Sequence, residues 1–234
     1  MHPSAYQAMQ RCVDAFAPTD RHLTVLDLGS GTTPERMAKG LTHGALFGHL
    51  DAEVIGVDII EGPNVDRVLR QPYRLPVRTN SVDVVVSGQV FEHIPFFWAS
   101  MLEVARVLRP GGVFLMTVPS RGHKHMQVDC WRYLDDGVRA LAAFSGLTLH
   151  RAHTDHVRPR EGSGRTEWDY PSHRSDPRYW GDTVGVFEKP VGYPTRRMAA
   201  LRAPIRWWAN YQARHFDALI EAKDAHRATS TASG

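Results

Sequence analysis

The chain has 234 residues, 42% of them apolar, with 28 Lys and Arg against 25 Asp and Glu, a formal charge of +3. That length supports one α/β domain with additions and a sizeable core. The near-balanced charge without a long Lys/Arg run argues against a nucleic-acid partner, and no stretch is apolar for long enough to span a membrane.

The first segment, His2 to Phe16, reads as a helix, because Tyr6, Met9, Val13 and Phe16 recur at helical spacing before Pro18. It lacks an apolar signal core. Thr24 to Leu28 reads as a buried strand that stops at the turn Gly29-Ser30-Gly31. Pro34 then opens a helix to His49, with Thr32 or Thr33 as its cap. Strand, glycine turn and helix start together form a ligand cradle in open α/β sheets. The third glycine of a dinucleotide fingerprint is missing, and Asp27 beside the turn would repel a pyrophosphate and suit a cationic ligand. A second strand, Glu53 to Val57, ends at Asp58, placed to accept hydrogen bonds from ribose hydroxyls. Ile59 and Ile60 could pack against an adenine.

Val65 to Leu69 is a short third strand, followed by the loop Arg70 to Pro76. Val82 to Ser87 is the fourth strand, and Glu92 and His93 follow its carboxyl end. Phe96 to Leu108 is an amphipathic helix. Arg109-Pro110-Gly111-Gly112 turns the chain into strand five, Val113 to Val118. The loop Pro119 to Tyr133 carries His123, His125, Asp129, Trp131 and Arg132. Asp135-Asp136 starts a helix, Gly137 to Phe144, which Gly146 stops. Leu147 to Arg151 is strand six and Thr183 to Phe187 the last strand. Between them, residues 153–182 are polar and carry Trp168, Tyr170, Tyr179 and Trp180, which reads as a lid or acceptor-binding insertion. Residues 191–224 form a helical extension in which Pro204 breaks or starts a helix. Its apolar face could dock on the domain, form a homodimer or touch a membrane surface. Residues 225–234 read as a disordered tail. Cys12 and Cys130 form no CxxC motif and fit a reducing cytosol, so a cytoplasmic location is expected.

The ordered set Val25-Leu26-Asp27-Leu28-Gly29-Ser30-Gly31-Thr32, Val54-Ile55-Gly56-Val57-Asp58, Leu75-Pro76, Ser81-Val82-Asp83-Val84-Val85-Val86-Ser87, Glu92-His93 and Leu108-Arg109-Pro110-Gly111-Gly112 resembles the class I S-adenosylmethionine-dependent methyltransferases over about residues 23–146. The resemblance implies a Rossmann-like doubly wound sheet of seven strands, order 3-2-1-4-5-7-6 with strand 7 antiparallel, filling residues 1–190. It implies S-adenosylmethionine as cofactor, held by Asp27, Gly29, Ser30, Gly31, Asp58, Ile59, Gln71 and Ser87. Gln71 stands where many relatives carry an aspartate against the adenine amino group. The leading helix of such proteins often lies over the cofactor or substrate; packing on the sheet is the other reading.

The loop His125 to Tyr133 resembles a branch with a histidine before Val-Asp-Cys-Trp-Arg, often associated with glycan biosynthesis. The expected activity is O-methylation of a sugar or glycan hydroxyl, with His125 as base and His123 or His93 as substitutes. Glu92 and Asp129, together with His125, could hold a magnesium ion; alternatively Asp129 ties down the loop through Arg132 and no metal binds. A non-sugar small-molecule acceptor, a nicotinamide-dependent oxidoreductase and a catalytically silent cofactor-binding subunit remain the alternatives.

Overall fold

A computed structural model describes residues 3–125, 127–155 and 180–232. The chain order is α1 (Pro3–Phe16), β1 (Leu23–Leu28), α2 (Pro34–Ala38), β2 (Ala52–Asp58), β3 (Arg67–Val68), β4 (Val82–Gly88), α3 (Phe97–Val107), β5 (Leu108–Arg121), α4 (Asp135–Ser145), β6 (Thr148–Thr154), β7 (Gly181–Glu188) and α5 (Thr195–Ala232). The seven strands form one sheet in the order β3-β2-β1-β4-β5-β7-β6. β1 to β5 pair in parallel, and β7 runs antiparallel to both β5 and β6. This is the Rossmann-like methyltransferase order expected from the motifs.

The central strands read as continuous apolar runs because helices cover both faces. Every residue of β4 is buried. Its period of two sends Val84 and Val86 toward Met9, Cys12 and Val13 of α1, and Val85 toward Met101 and Val104 of α3. Val82 joins the α3 side because the register shift between Val82 and Val84 breaks the alternation. α1 therefore packs on the sheet, and none of its residues lines the cavity described below.

Four expectations change. The helix expected over Pro34 to His49 stops at Ala38 and resumes only as a short 3₁₀ turn, Gly44–Phe47. Gly40 adopts φ +65°, which ends the helix where no side chain opposes it. Its start is as expected: Thr33 Oγ1 accepts from Arg36 N at 3.3 Å. Arg109 to Gly112 is not a separate turn. Leu108 already pairs with Val82, and a register shift absorbs the glycines inside β5. Pro204 neither breaks nor starts a helix, since α5 runs through it. Pro204 and Ala200, one turn before it, are both exposed, while Ile205, Ala209 and Ala213 pack against Tyr73, Ala99 and Phe96. Finally, α5 continues to Ala232 rather than ending at 224, because 220–228 is rich in Ala, Glu and Lys, all strong helix formers. In the expected lid, Trp168, Tyr170 and Tyr179 lie outside the described residues. The ends of that segment belong to β6 and β7.

Candidate functional site

The carboxyl ends of β1, β2 and β4 open onto a cavity of 410 Å³. An open α/β sheet places its ligand there. The turn after β1 forms one wall. Gly29 has φ +80°, and a Cβ would lie 2.8 Å from Val90 Cγ1 and closer still to Cγ2. Both the backbone and the neighbour therefore demand glycine. At Gly31 a Cβ would stand 2.8 Å from Asp58 Oδ2. Instead the Gly31 N–H donates to that oxygen at 2.9 Å, and Ile59 N–H donates to Oδ1 at 2.6 Å. The Asp58 carboxylate is thus held by two backbone donors, with lone pairs left over for a diol. Ile59 and Ile60, 60% and 70% exposed, form an apolar wall beside it.

Asp27 is fully buried at the opposite wall. Its Oδ1 meets His43 Nδ1 at 2.7 Å. Its Oδ2 has no hydrogen-bond partner among the described residues. An orphaned carboxylate oxygen facing a cavity is a fitting partner for an ammonium group.

The far side of the cavity is built by the segment after β4 and by the 119–134 loop laid over it. Gln89 takes φ +59°, uncommon without glycine, and its Nε2 donates to Asp182 Oδ1 at 3.1 Å. Cys130 N–H donates to Glu92 O at 2.7 Å, and Tyr133 Oη to Phe91 O at 3.1 Å. These bonds clamp the loop onto the 3₁₀ turn Phe91–His93. His93 lines the cavity. Its Nδ1 sits 2.5 Å from Val128 O, and a carbonyl only accepts, so Nδ1 carries a proton, while Nε2 lies 3.6 Å from Glu92 Oε1. The His125 ring centroid is 4.8 Å from that of His93. Trp180 stands 4.6 Å from the His123 ring and 6.4 Å from the His125 ring. Gly122, at φ +110°, makes room for that indole, since a Cβ would reach 2.5 Å from Trp180 Cε3.

The charges of this half are unusual. Glu92 is fully buried and neither carboxyl oxygen has a partner among the described residues. Burial first, and Asp129 second, push its pKa up to about 8, so it is protonated at neutral pH. Burial also acts first on His125, outweighing Asp129 and lowering its pKa, so its imidazole is neutral at pH 7. For Asp129, burial pushes upward, but hydrogen bonds from Arg132 and from the His125 N–H outweigh it and hold the pKa at about 2. Arg132 grips Asp129 at 2.5 and 2.8 Å, while the His125 Nδ1 lies 3.1 Å from Asp129 Oδ2.

That grip corrects the magnesium expectation. Asp129 is committed to Arg132. Among the described residues, those whose ligand atoms lie within 4.8 Å of one another are Glu92, His93 and His125. One carboxyl and two imidazoles suit zinc or iron rather than magnesium, which takes oxygen ligands. The residues therefore do not fit magnesium.

Two other expected residues stand apart from the cavity. Ser87 is buried and its Oγ donates to Leu28 O at 3.0 Å, tying β4 to β1. Gln71 is exposed and does not line the cavity, where Pro72, Tyr73 and Leu75 stand instead. Ser30 does line it, with a buried Oγ that has no partner among the described residues. The sequence reading missed His43, Gln89 and Tyr73. Only Gln89 carried a signal, its position just past the carboxyl end of a central strand.

The sheet order, the glycine turn, the acid ending β2 and the cavity at the carboxyl strand ends define a nucleoside-cofactor-binding α/β protein. Residues 26–116 match the family model described as methyltransferase domain. A protein of Mycolicibacterium smegmatis described as a probable S-adenosylmethionine-dependent methyltransferase is 40% identical over 85 residues, 32% of this chain and 33% of that protein. An uncharacterized methyltransferase of Mycobacterium sp. (strain JLS) is 31% identical over 147 residues, 57% of this chain and 54% of that one. The chain spans about half the length, or less, of these curated relatives. Among solved structures, the 1,6-didemethyltoxoflavin-N1-methyltransferase of Burkholderia thailandensis shares the fold at a TM-score of 0.55 and 16% identity, covering 80% of this chain and 79% of that one. The matched segment is a methyltransferase domain, and the sheet order is that of the class I S-adenosylmethionine-dependent methyltransferase fold.

Proposed function

We propose that this protein transfers a methyl group from S-adenosylmethionine to a hydroxyl of a sugar or glycan. The observation that carries this reading is the neutral His125 imidazole, backed by the ionised Asp129 at 3.1 Å and standing one ring from the cavity wall. A neutral alcohol is a poor nucleophile and needs a proton acceptor, whereas a thiolate or a carbanion does not.

The cavity fits the cofactor on its own terms. Asp27 Oδ2 has the vacancy an ammonium needs, Asp58 can accept from two ribose hydroxyls, and Ile59 and Ile60 offer a face to an adenine. When bound, S-adenosylmethionine supplies an already activated methyl group. The protein's contribution is then placement and proton handling. His93, fixed by Val128 O, orients the acceptor side of the cavity. His125 takes the hydroxyl proton, and Asp129 stabilises the imidazolium that forms. Glu92, neutral behind both rings, adds no charge that would hold a proton on them. Trp180 presents an indole beside His123 and His125, a surface on which a sugar ring can stack.

The test is methyl transfer from labelled S-adenosylmethionine to a panel of mono- and oligosaccharides, with chelator and without. Chelator-insensitive transfer to a sugar hydroxyl is the expected result. Transfer only to thiols, or only to carbon acceptors, would remove the need for the His125 base and with it the proposal.

A further inference from the structure

A second cavity, of about 800 Å³, lies on the α3 and α5 face of the sheet. Leu75 belongs to both this cavity and the one at the strand ends. Six arginines line it: Arg67 on β3, Arg74 and Arg78 on the following loop, Arg106 near the end of α3, and Arg202 and Arg206 on α5. No Asp or Glu is among its lining residues. The whole chain is nearly balanced, with 28 basic against 25 acidic residues, so six to none is a local departure.

Among the described residues, Glu103 is the carboxylate paired with three of these arginines, from behind. Glu103 is fully buried and bonds Arg106 Nε and Nη2 at 3.0 and 2.6 Å. It also faces Arg202 at 3.3 Å and Arg206 at 3.7 Å. Arg106 spends its remaining donors on the carbonyls of Val77 and Leu75. Arg67 donates to Pro76 O. The buried Nε of Arg202 is the atom that meets Glu103 Oε1 at 3.3 Å, so Glu103 is shared among three guanidinium groups. One negative charge shared by three guanidinium groups leaves repulsion uncompensated among them. Burial first, and then Arg106 and Arg206, lower the Arg202 pKa against the pull of Glu103. Exposed arginines on an ordinary surface spread apart; here four separate elements bring guanidinium groups to one concavity of small-molecule size.

We infer that this arginine-lined cavity binds a phosphorylated ligand carrying more than one anionic phosphate, as a site separate from the methyl-transfer cavity. Guanidinium groups meet phosphate oxygens in a planar, two-pronged fashion that lysine cannot copy. Arg74 and Arg78 form the open side, and Arg202 and Arg206 the side supplied by α5. The phosphate can come from a soluble polyphosphate compound or from an anionic lipid headgroup, and the same guanidinium groups would hold either.

The experiment uses the full chain at low salt with two probes. Inorganic pyrophosphate is titrated calorimetrically against a sulfate control, and sedimentation is measured with phosphatidylglycerol vesicles against phosphatidylcholine vesicles. Wild-type protein is expected to bind at least one phosphate probe above its control. The double variant Arg74→Ala, Arg78→Ala is expected to bind it about tenfold more weakly or worse, while S-adenosylmethionine affinity stays unchanged. Pyrophosphate binding without vesicle binding identifies a soluble ligand, and the reverse identifies a lipid headgroup. No binding of either probe above its control, or equal binding by wild type and double variant, overturns the inference. Neither readout depends on the methyl acceptor, so failure here leaves the proposed reaction standing.

Discussion

Replacing Glu92 by Gln should make this protein more stable at alkaline pH, even though it alters a residue at the centre of the site. The carboxyl is fully buried, both oxygens lack partners, and its pKa is raised from the ordinary 4.5 to about 8. A raised acid binds its proton more tightly when folded. No penalty exists below pH 4.5; it accumulates as pH rises toward 8 and is complete above that. Each unit is worth about 1.4 kcal/mol, so the full shift sets a ceiling of roughly 5 kcal/mol, and relaxation and water entry bring the expected value to about 2–4 kcal/mol. Gln keeps the shape and cannot ionise. Thermal unfolding followed by circular dichroism in chelator, from pH 5 to pH 9, reads the difference between variant and wild type. At about 2–4 °C per kcal/mol for a chain of this size, the variant should gain roughly 4–15 °C relative to wild type between those pH values. The buried amide adds an offset that does not vary with pH. A difference that stays constant from pH 5 to pH 9 would show that Glu92 is ionised and compensated, and would refute the reasoning.

Gly29→Ala should destabilise the fold by about 2–4 kcal/mol, from the positive φ and the Val90 overlap together, and weaken cofactor binding. In a Val90→Ala background the same substitution should cost only the backbone part, about 1–2 kcal/mol, which a denaturant double-mutant cycle separates. His125→Ala should lower the methyl-transfer rate by about 10²–10⁴-fold with cofactor affinity within about twofold. In the wild type the rate should fall as pH drops below 6.5, since the lowered His125 pKa means the base is lost only once the imidazole protonates. Asn210→Ala removes the acceptor of the Tyr73 N–H, at 3.3 Å, and should cost about 1 kcal/mol together with a few-fold loss of cofactor affinity, read by chemical denaturation and calorimetry.

The half of the site legible in the sequence is the half made by local backbone chemistry. A strand, two glycines and Pro34 specify the turn, and Asp58 ends the next strand whatever the rest of the molecule does. The sheet order came from the family resemblance that the ordered motifs carry. What was not legible depends on contacts distant in sequence. His43 lies sixteen positions from Asp27 and reaches it only because Gly40 ends α2 early and the chain folds back. Ser87 reads as a cofactor contact by position, yet its hydroxyl turns to Leu28 O inside the sheet. Asp129 offered two readings, a metal ligand or an anchor for Arg132. The choice needed the 2.5 Å approach of that guanidinium, which a three-residue spacing permits without requiring.

α5 joins the two cavities in a way its composition did not disclose. Its inward residues hold Tyr73 from one side: Asn210 accepts from the Tyr73 N–H, and Ala209 packs with Tyr73 and Ala99. From the other side Tyr73 Oη accepts from Phe96 N–H at 3.2 Å, at the entrance to α3. Tyr73 lines the strand-end cavity, so that wall is set partly by a helix outside the matched domain. The same helix carries Arg202 and Arg206 to Glu103, which lines the strand-end cavity and also accepts from Leu75 N–H at 3.1 Å. An anion that draws those arginines outward would remove part of the charge that balances Glu103 and loosen the wall Leu75 shares. The extension is therefore a structural part of the strand-end cavity, and cutting the chain after β7 should reduce cofactor affinity even where the sheet still folds.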